Sequence, residues 1–360
     1  VTNSVKRVAD HLMMRGHAVL IVAPAPGPSS YNGCPVERVA GFELPGYRSL
    51  AVGLPRSQAI DRILRDFAPD VVHVAAPVLL GAAALQVTSE RRIPTVAIYQ
   101  TDLAAFAARY HLRAAGPAIW AWLKRVHGRA DLNLAPSTHS IWELRRREIQ
   151  NVRLWGRGVD HEQFSPGHRS IETHHRWGVV DDTVAVGYVG RIANEKGLNL
   201  LQHLVGIPIA RLVIVGDGPA RAQLQQQLPG AHFDGFRTGG ELGAAFASLD
   251  VFVHPGAAET FCQAVQEAMA SGLPAVVPAA GGPVDLVSHG TTGFLFPPEQ
   301  PKLMRGAVEM LVNDPVRRRG MGKTAHAAVA GRSWEQLGDQ LIAHYESVRQ
   351  PARRSRALVG

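Results

Sequence analysis

The sequence predicts an α/β protein of two doubly wound domains that face each other, followed by an amphipathic C-terminal helix. Three observations lead to this fold class. The chain has 360 residues, which is enough for two domains of ordinary size. Short apolar runs alternate with helical patterns in both halves, as is typical of parallel strands covered on both faces. A polar stretch at about residues 160–177 separates the two alternations.

The first half opens on a helix. Val5, Val8 and Leu12 recur at helical spacing, Gly16 supplies a helix stop, and the apolar run at residues 18–23 follows as a buried strand. Further strand-like runs lie at residues 71–75, 95–99, 132–135 and 152–155. We therefore predict a first domain over residues 1–158.

The second half repeats this pattern. Strand-like runs lie at residues 184–189, 212–215, 251–254 and 275–277, and helical patterns lie at residues 220–228 and 263–270. Because each helical pattern falls between two apolar runs, the strands are expected to be parallel. We predict a second domain over residues 159–331.

One apolar stripe marks the end of the chain. It predicts an amphipathic helix within residues 332–350 that covers another surface. The segment 351–360 is basic and has no such stripe, so we predict a disordered tail there. The stripe consists of Trp334, Leu337, Leu341, Ile342, Tyr345 and Val348.

Composition excludes several classes of protein. The hydrophobic fraction of 46% and the charged fraction of 19% are those of a folded protein, and no stretch reaches the roughly 18 apolar residues that span a bilayer. Only two cysteines are present, Cys34 and Cys262, which is too few for a disulfide framework or a four-cysteine zinc site. We therefore expect a reducing, cytoplasmic compartment.

The excess positive charge lies entirely in the first half. Residues 1–160 hold 20 basic and 12 acidic side chains, whereas residues 161–360 hold 18 of each. This asymmetry predicts a basic half that meets an anionic surface and a balanced half that binds something small. The sequence isoelectric point of about 9.9 also fits a nucleic-acid binder, but no base-stacking or helix-turn-helix motif accompanies the charge.

A glycine-bracketed pair of cations follows the strand at residues 184–189. The segment from Gly190 to Gly197 contains Arg191 and Lys196. In an open parallel sheet this is the crevice where ligands bind, and both cations suit a diphosphate. No Asp-x-Asp motif is present, so we expect no metal ion to grip that diphosphate.

Two glutamates flank the start of the helix predicted at residues 263–270. Glu259 precedes this helix and Glu267 lies within it, about two turns on. The amides of Thr260, Phe261 and Cys262 would be donors at the helix start. Carboxylates suit the hydroxyls of a ribose and of a second sugar. The alternative is a capped helix with an exposed glutamate.

Aromatic and basic residues are mixed between Arg109 and Arg129. Trp120 and Trp122 lie beside Lys124 and Arg125 in this segment. Such a mixture suits a peripheral contact with anionic lipid. The alternative is that both tryptophans pack in the core.

The motifs of both halves resemble those of retaining GT4 glycosyltransferases, which have the GT-B fold of two facing Rossmann-like domains. The resemblance covers nearly the whole chain and is greatest to GDP-mannose-dependent α-mannosyltransferases of actinobacteria that act on glycolipid acceptors. In that family the last helix crosses back to the first domain. The matching segments are residues 69–73, 98–102, 135–137, 155–160, 190–197, 215–219, 259–267, 280–283, 292–294 and 331–334.

The resemblance implies a role for each site residue. Arg191 and Lys196 would hold the donor diphosphate, Glu259 the transferred sugar and Glu267 the ribose. Asp102 or Gln100 would orient sugar or acceptor. The other donor-binding residues would be Gly190, Gly216, Gly218, Thr260, Phe261 and Cys262.

The resemblance also implies the partners. Transfer would need no metal or other cofactor, and the acceptor would be a lipid-linked glycan. The enzyme would then be peripheral, at the inner face of the plasma membrane. Trp120, Trp122, Lys124 and Arg125 would contact that membrane or the acceptor.

Two departures from the family keep alternatives open. Many relatives carry a histidine where this chain has Gln100. Relatives also begin with a strand and a glycine-containing loop before the first helix, and we expect the natural start to lie upstream of Val1. The alternatives are a GT4 transferase with a UDP-sugar donor and a soluble acceptor, or a non-catalytic nucleotide-sugar binder.

Overall fold

The computed structural model describes residues 2–44, 47–53, 56–104 and 113–357. The chain divides into two compact units. Within the described ranges, the N-terminal unit comprises residues 2–104, 114–156 and 335–357, and the C-terminal unit comprises Arg113 and residues 157–334. The chain enters the main part of the C-terminal unit after Gly156 and returns to the N-terminal unit after Trp334.

The N-terminal unit combines one parallel sheet with two smaller antiparallel pairings. The strands at residues 72–74, 95–98, 132–135 and 152–154 form a four-stranded parallel sheet in sequence order. The strand at residues 21–24 pairs in parallel with that at residues 34–39. Its elements are α1 (Thr2–Met14), β1 (Ile21–Pro24), β2 (Ser30–Tyr31), β3 (Cys34–Val39), β4 (Gly41–Leu44), β5 (Tyr47–Gly53), α2 (Ser57–Phe67), β6 (Val72–Val74), α3 (Leu79–Arg91), β7 (Thr95–Ile98), α4 (Gly116–His127), β8 (Leu132–Ala135), α5 (Thr138–Arg146) and β9 (Val152–Leu154).

Two antiparallel hairpins interrupt the expected alternation of strands and helices. Strands β2 and β3 are joined by Asn32 and Gly33, whose φ angles are 45° and 81°. Positive φ at both turn residues is the requirement of a tight type I′ hairpin, which Asn-Gly satisfies. Strands β4 and β5 form the second antiparallel pair. The sequence analysis predicted no strand in this part of the chain, so both antiparallel pairs are additions to the predicted alternation.

The C-terminal helix α12 (Trp334–Ala357) completes the core of the N-terminal unit. Leu337 and Leu341 pack with β7 and β8, and the indole Nε1–H of Trp155 donates to the Leu337 carbonyl at 2.9 Å. The helix runs to Ala357, whereas the sequence analysis expected disorder from residue 351.

The burial of His73 makes stability depend on pH. The His73 Nδ1 lies 2.5 Å from the Tyr345 hydroxyl, and burial lowers the pKa of His73 from 6.5 to about 4. Between these values the unfolded chain binds a proton that the folded protein does not. We expect the free energy of unfolding to fall by on the order of 2 kcal/mol as the pH drops from 6.5 to 4.

Urea unfolding between pH 7.5 and 4 tests this expectation. His73→Gln should flatten the pH dependence, because the variant has no group to protonate at this position. The exposed His175 provides the control, and His175→Gln should keep the parent's slope. Equal slopes in the parent and in His73→Gln would contradict the assignment.

The C-terminal unit contains a six-stranded sheet in which every pairing is parallel. The strand order is β12-β11-β10-β13-β14-β15, and apolar clusters cover both faces. The elements are α6 (Ile171–Trp177), β10 (Val184–Val189), β11 (Ala210–Val215), α7 (Arg221–Gln227), β12 (His232–Gly235), α8 (Gly239–Ala247), β13 (Val251–Val253), α9 (Gln263–Ala270), β14 (Ala275–Pro278), β15 (Gly293–Phe296), α10 (Pro301–Asn313) and α11 (Pro315–Val329).

No helix in the described ranges combines the length and the apolar character needed to cross a bilayer.

Candidate active site

The predicted donor residues come together at one edge of the C-terminal sheet. Strands β11, β10, β13 and β14 are neighbours in the sheet and all run parallel. The loops that follow these strands therefore emerge at the same edge. The loop after β10 carries Arg191 and Lys196, and the segment after β13 carries Glu259 and then α9.

Glycines let two of these loops pack backbone against backbone. The Gly190 N–H donates to the Val215 carbonyl at 2.9 Å, and the Gly216 N–H donates to the Gly235 carbonyl at 2.7 Å. A Cβ atom on Gly216 would lie 2.0 Å from the Gly190 carbonyl oxygen, and one on Gly218 would lie 2.2 Å from the Ile192 carbonyl oxygen. Only glycine allows this approach.

Gly216→Ala should therefore distort the packed loops at the carboxyl edge of the C-terminal sheet. Its Cβ would overlap the Gly190 backbone, and its φ of 135° is unfavourable for alanine. We expect nucleotide affinity to fall about tenfold, with a lower melting temperature. Gly240→Ala is the matched control, because its Cβ meets nothing within 4 Å among the described atoms. If calorimetry gives the same nucleotide affinity for Gly216→Ala and Gly240→Ala, the packing argument is wrong.

Lys196 and Glu259 form an ion pair across 63 positions of sequence. The Lys196 Nζ lies 2.6 Å from the Glu259 Oε1, and both side chains are largely buried, at 24% and 15% exposure. Burial alone would raise the pKa of Glu259, but the contacts with His254 and the Lys196 ammonium bring it to about 2. Glu259 is therefore ionised at neutral pH.

Arg191 lies in the same loop but has a different partner. Its guanidinium pairs with Glu195, and its side chain is 45% exposed. The structure thus brings Lys196 and Glu259 into direct contact, whereas Arg191 remains at the surface of the loop. A ligand that displaces Glu195 would meet the guanidinium there.

His254 is a site residue that the sequence analysis treated only as the end of a strand. It is 2% exposed, and its Nε2 lies 3.3 Å from the Glu259 Oε1. The only signal in the sequence is a histidine at the carboxyl end of a buried strand. Its proximity to Glu259 depends on the path of the loop between them.

His254, Glu259 and Cys262 also bring three potential metal ligands within 4.8 Å of one another, the one such group in the part of the chain described. The Gly256 N–H donates to the His254 Nδ1 at 3.2 Å, which assigns the proton of the neutral ring to Nε2. A protonated Nε2 has no lone pair for a metal. Lys196 also neutralises the carboxylate, so the residues do not fit a resident metal ion.

Helix α9 carries the second glutamate. Burial raises the pKa of Glu267 to about 8, an effect that the contact with Gln263 partly offsets. The Gln263 side-chain amide donates to the Gly158 carbonyl, and that of Gln266 donates to the Arg157 carbonyl, each at 2.9 Å. These bonds fix α9 to the segment that enters the C-terminal unit.

The segment before α9 is held from the other side by the loop after β14. The Gly282 N–H donates to the Glu259 carbonyl at 2.7 Å, and a Cβ atom on Gly282 would lie 2.3 Å from the Phe261 Cα. Cys262 precedes the helix with a φ of 75°, and Phe261 and Cys262 are buried. The backbone from Glu259 to Cys262, including Thr260, is therefore fixed by its neighbours.

Gln100 and Asp102 belong to the N-terminal unit. Both follow β7 and are half-buried. They come after Tyr99, whose pKa is raised by burial and by the charge of Asp102. Their predicted role in orienting sugar or acceptor remains a proposal.

Trp120 does not fit the predicted membrane contact. It is 8% exposed, it stacks on Tyr99 with ring centroids 6.2 Å apart, and the Arg147 guanidinium lies 4.9 Å from its ring centroid. Trp120 is therefore a core residue, because the inward face of α4 packs against the sheet.

The remaining residues of that prediction lie closer to the surface. Trp122 is half-buried and lines an apolar cavity of about 450 Å³ with Leu103 and Ile119. Lys124 and Arg125 are exposed, and Lys124 pairs with Glu148. A basic surface thus adjoins an apolar cavity on α4.

Comparisons with known proteins match both halves of the chain to glycosyltransferases. The profile "Glycosyltransferase Family 4" matches residues 1–163, and "Glycosyl transferases group 1" matches residues 170–328. A GDP-mannose-dependent alpha-mannosyltransferase of Mycolicibacterium smegmatis is 45% identical over 97% of this chain and 93% of its own length. A GDP-mannose-dependent alpha-(1-6)-phosphatidylinositol dimannoside mannosyltransferase of Mycobacterium tuberculosis is 26% identical over 94% of this chain and 90% of its own.

Solved structures share the fold. Sucrose-phosphate synthase from Thermosynechococcus elongatus superposes with a TM-score of 0.79 at 20% identity, over 96% of this chain and 92% of its own. The predicted α/β class with Rossmann-like domains is confirmed. The chain belongs to glycosyltransferase family 4, and its fold is the GT-B fold.

Proposed function

We propose that the protein is a retaining α-mannosyltransferase that takes mannose from GDP-mannose and transfers it to a lipid-linked acceptor. The observation that carries the proposal is the Lys196–Glu259 pair, 2.6 Å apart beside the glycine loops at the carboxyl edge of the sheet. A cation for the diphosphate and a carboxylate for the sugar are thus adjacent. The M. smegmatis relative, a GDP-mannose-dependent enzyme, supports the choice of donor.

The charges suggest how the donor would be bound. Lys196 and Arg191 would neutralise the diphosphate, so the reaction would need no metal ion. Glu267 would accept hydrogen bonds from the ribose, and Glu259 would accept them from the hydroxyls of the mannose. The backbone amides of Phe261 and Cys262 would assist Glu259.

Catalysis would then be mainly electrostatic. Negative charge develops on the diphosphate as the bond to the mannose breaks, and the Lys196 ammonium is already held in place by Glu259. The leaving phosphate would take the acceptor proton on the same face, which retains the α configuration. Gln100 or Asp102 would orient the acceptor.

The acceptor and the location are argued from charge. The +8 excess of residues 1–160 and the basic surface beside the α4 cavity favour an anionic lipid surface. The M. tuberculosis relative is named for a phosphatidylinositol dimannoside. We propose peripheral association with the cytoplasmic face of the plasma membrane, and no nucleic-acid partner.

Calorimetric titration with GDP, GDP-mannose, UDP and UDP-glucose, with and without EDTA, tests the donor. Selective binding of the guanine compounds that EDTA leaves unchanged would support the proposal. A preference for uridine compounds would indicate a UDP-sugar transferase instead. If none of the four binds, the proposed activity is wrong.

Cosedimentation with vesicles tests the membrane contact. Arg125→Glu should weaken binding to phosphatidylglycerol vesicles several-fold, because each cation near an anionic surface contributes about 1 kcal/mol. Arg62→Glu on α2, another exposed arginine of the same unit, is the matched control. Equal losses in both variants would indicate attraction by net charge without a defined contact on α4.

A further inference from the structure

The contacts of Glu259 point to a further functional residue, His254. The His254 Nε2 and the Lys196 Nζ both approach the same carboxylate oxygen, Oε1, at 3.3 and 2.6 Å. Oε1 is thereby occupied by two donors. The second oxygen, Oε2, is then the one that can accept from a sugar hydroxyl.

The tautomer of His254 is set by the backbone. The Gly256 N–H donates to Nδ1, so the neutral ring carries its proton on Nε2, which points towards Glu259. Burial would lower the pKa of His254, but the contacts with Cys262 and Glu259 raise it to about 10, and the protonated ring carries a proton on Nε2 as well. Gly256 is required for this arrangement. A Cβ atom on Gly256 would lie 2.9 Å from the His254 Cε1 and 3.0 Å from the Lys196 carbonyl oxygen.

The His254 ring is also tied to the loop after β10. It lies 5.7 Å, centroid to centroid, from the ring of Tyr188, and the Tyr188 hydroxyl donates to the Arg191 carbonyl at 2.9 Å. Both rings are almost fully buried. His254 therefore connects the proposed diphosphate loop to the proposed sugar carboxylate through rigid contacts.

We propose that His254 is a positioning residue for sugar transfer: it fixes the rotamer of Glu259 by donating from Nε2 to Oε1, and so directs Oε2 at the sugar of the donor. The proposal rests on the proposed function for the role of Glu259. Lys196 alone cannot supply this constraint, because an ammonium on a flexible stem is a point charge without a fixed direction. The buried ring of His254, which packs at a tilt against Tyr188, supplies the direction.

The expected signature separates sugar recognition from nucleotide recognition. His254→Phe keeps an aromatic ring beside Tyr188 but removes the donor to Glu259. We expect its affinity for GDP to stay within about threefold of the parent, while its affinity for GDP-mannose falls about tenfold relative to GDP. The kcat for transfer should fall further, because an unfixed carboxylate no longer aligns the sugar.

His254→Gln tests the chemistry of the contact, since its amide can donate where Nε2–H does. This variant should recover at least half of the lost GDP-mannose selectivity. His289→Phe is the control: His289 also accepts a backbone N–H at Nδ1, from Leu295, and packs on Phe294. It should bind both ligands as the parent does.

The titrations use the full chain, with thermal unfolding of each variant. Three results would overturn the proposal: unchanged GDP-mannose affinity in His254→Phe, equal losses for GDP and GDP-mannose, or no recovery in His254→Gln. If the parent prefers uridine compounds, the proposed donor is wrong, and the same ratios measured with UDP and UDP-glucose decide the role of His254. If the parent binds neither pair, both proposals are wrong.

Discussion

Replacing Lys196 with alanine is expected to lower kcat for sugar transfer by about 10²- to 10³-fold while the protein stays folded. The Lys196 ammonium is held 2.6 Å from Glu259 before any donor binds, so it does not need to be reorganised as charge develops on the diphosphate. The variant also leaves the Glu259 carboxylate without its strongest partner. Steady-state transfer and thermal unfolding, measured on the same preparation, give the two readouts.

Lys302→Ala is the matched control, because Lys302 is an exposed lysine on α10 of the same unit. It should transfer sugar at the parent's rate. Lys196→Arg should recover little activity, since the guanidinium fork does not reproduce the contact of a compact ammonium with Oε1. Turnover of Lys196→Ala near the parent's would remove Lys196 from the mechanism.

The second large effect is expected at Glu267. Two charge-assisted hydrogen bonds to ribose hydroxyls contribute about 1.5 to 3 kcal/mol each, so Glu267→Ala should weaken GDP binding by roughly 10²- to 10⁴-fold. Burial holds the pKa of Glu267 at about 8 in the free protein. If the ionised form binds the ribose, affinity must rise with pH up to about 8 and level off above it.

Calorimetry of GDP binding between pH 6 and 9 checks both parts. The parent should release a proton on binding below pH 8, visible as a dependence on buffer ionisation enthalpy, and Glu267→Ala should not. Glu241→Ala on α8, an exposed glutamate in the same unit, should behave as the parent. If the affinity of the parent for GDP does not change between pH 6 and 9, Glu267 does not ionise on binding.

The sequence predicts the fold best where strands are continuously apolar. Residues 184–189 are a strand with the predicted bounds, because this segment has no charged side chain and is buried along its whole length. Strand β12 was missed because Phe233 is its only apolar side chain and Asp234 follows it. The structure shows why an acid is tolerated there: Asp234 pairs with Arg176 and Arg237, each at 2.9 Å.

The site was predicted only in part, for a related reason. Local spacing identifies Lys196 and Glu259 as candidate ligand-binding residues. Their contact depends on β13 lying next to β10, and no local sequence pattern predicts the strand order. His254 was missed for the same reason. Trp120 shows the reverse error, since an aromatic residue beside cations fits a membrane surface and a core equally well until burial is known.

The return of the chain to the N-terminal unit after Trp334 has a consequence for biosynthesis. The apolar face of β7 and β8 is covered by Leu337, Leu341 and Tyr345, which are made only after the whole C-terminal unit. At 5 to 20 residues per second, the ribosome needs roughly 10 to 40 s to add the C-terminal unit before this helix emerges. The C-terminal unit can therefore fold first, whereas the sheet of the N-terminal unit stays uncovered until this helix has been made.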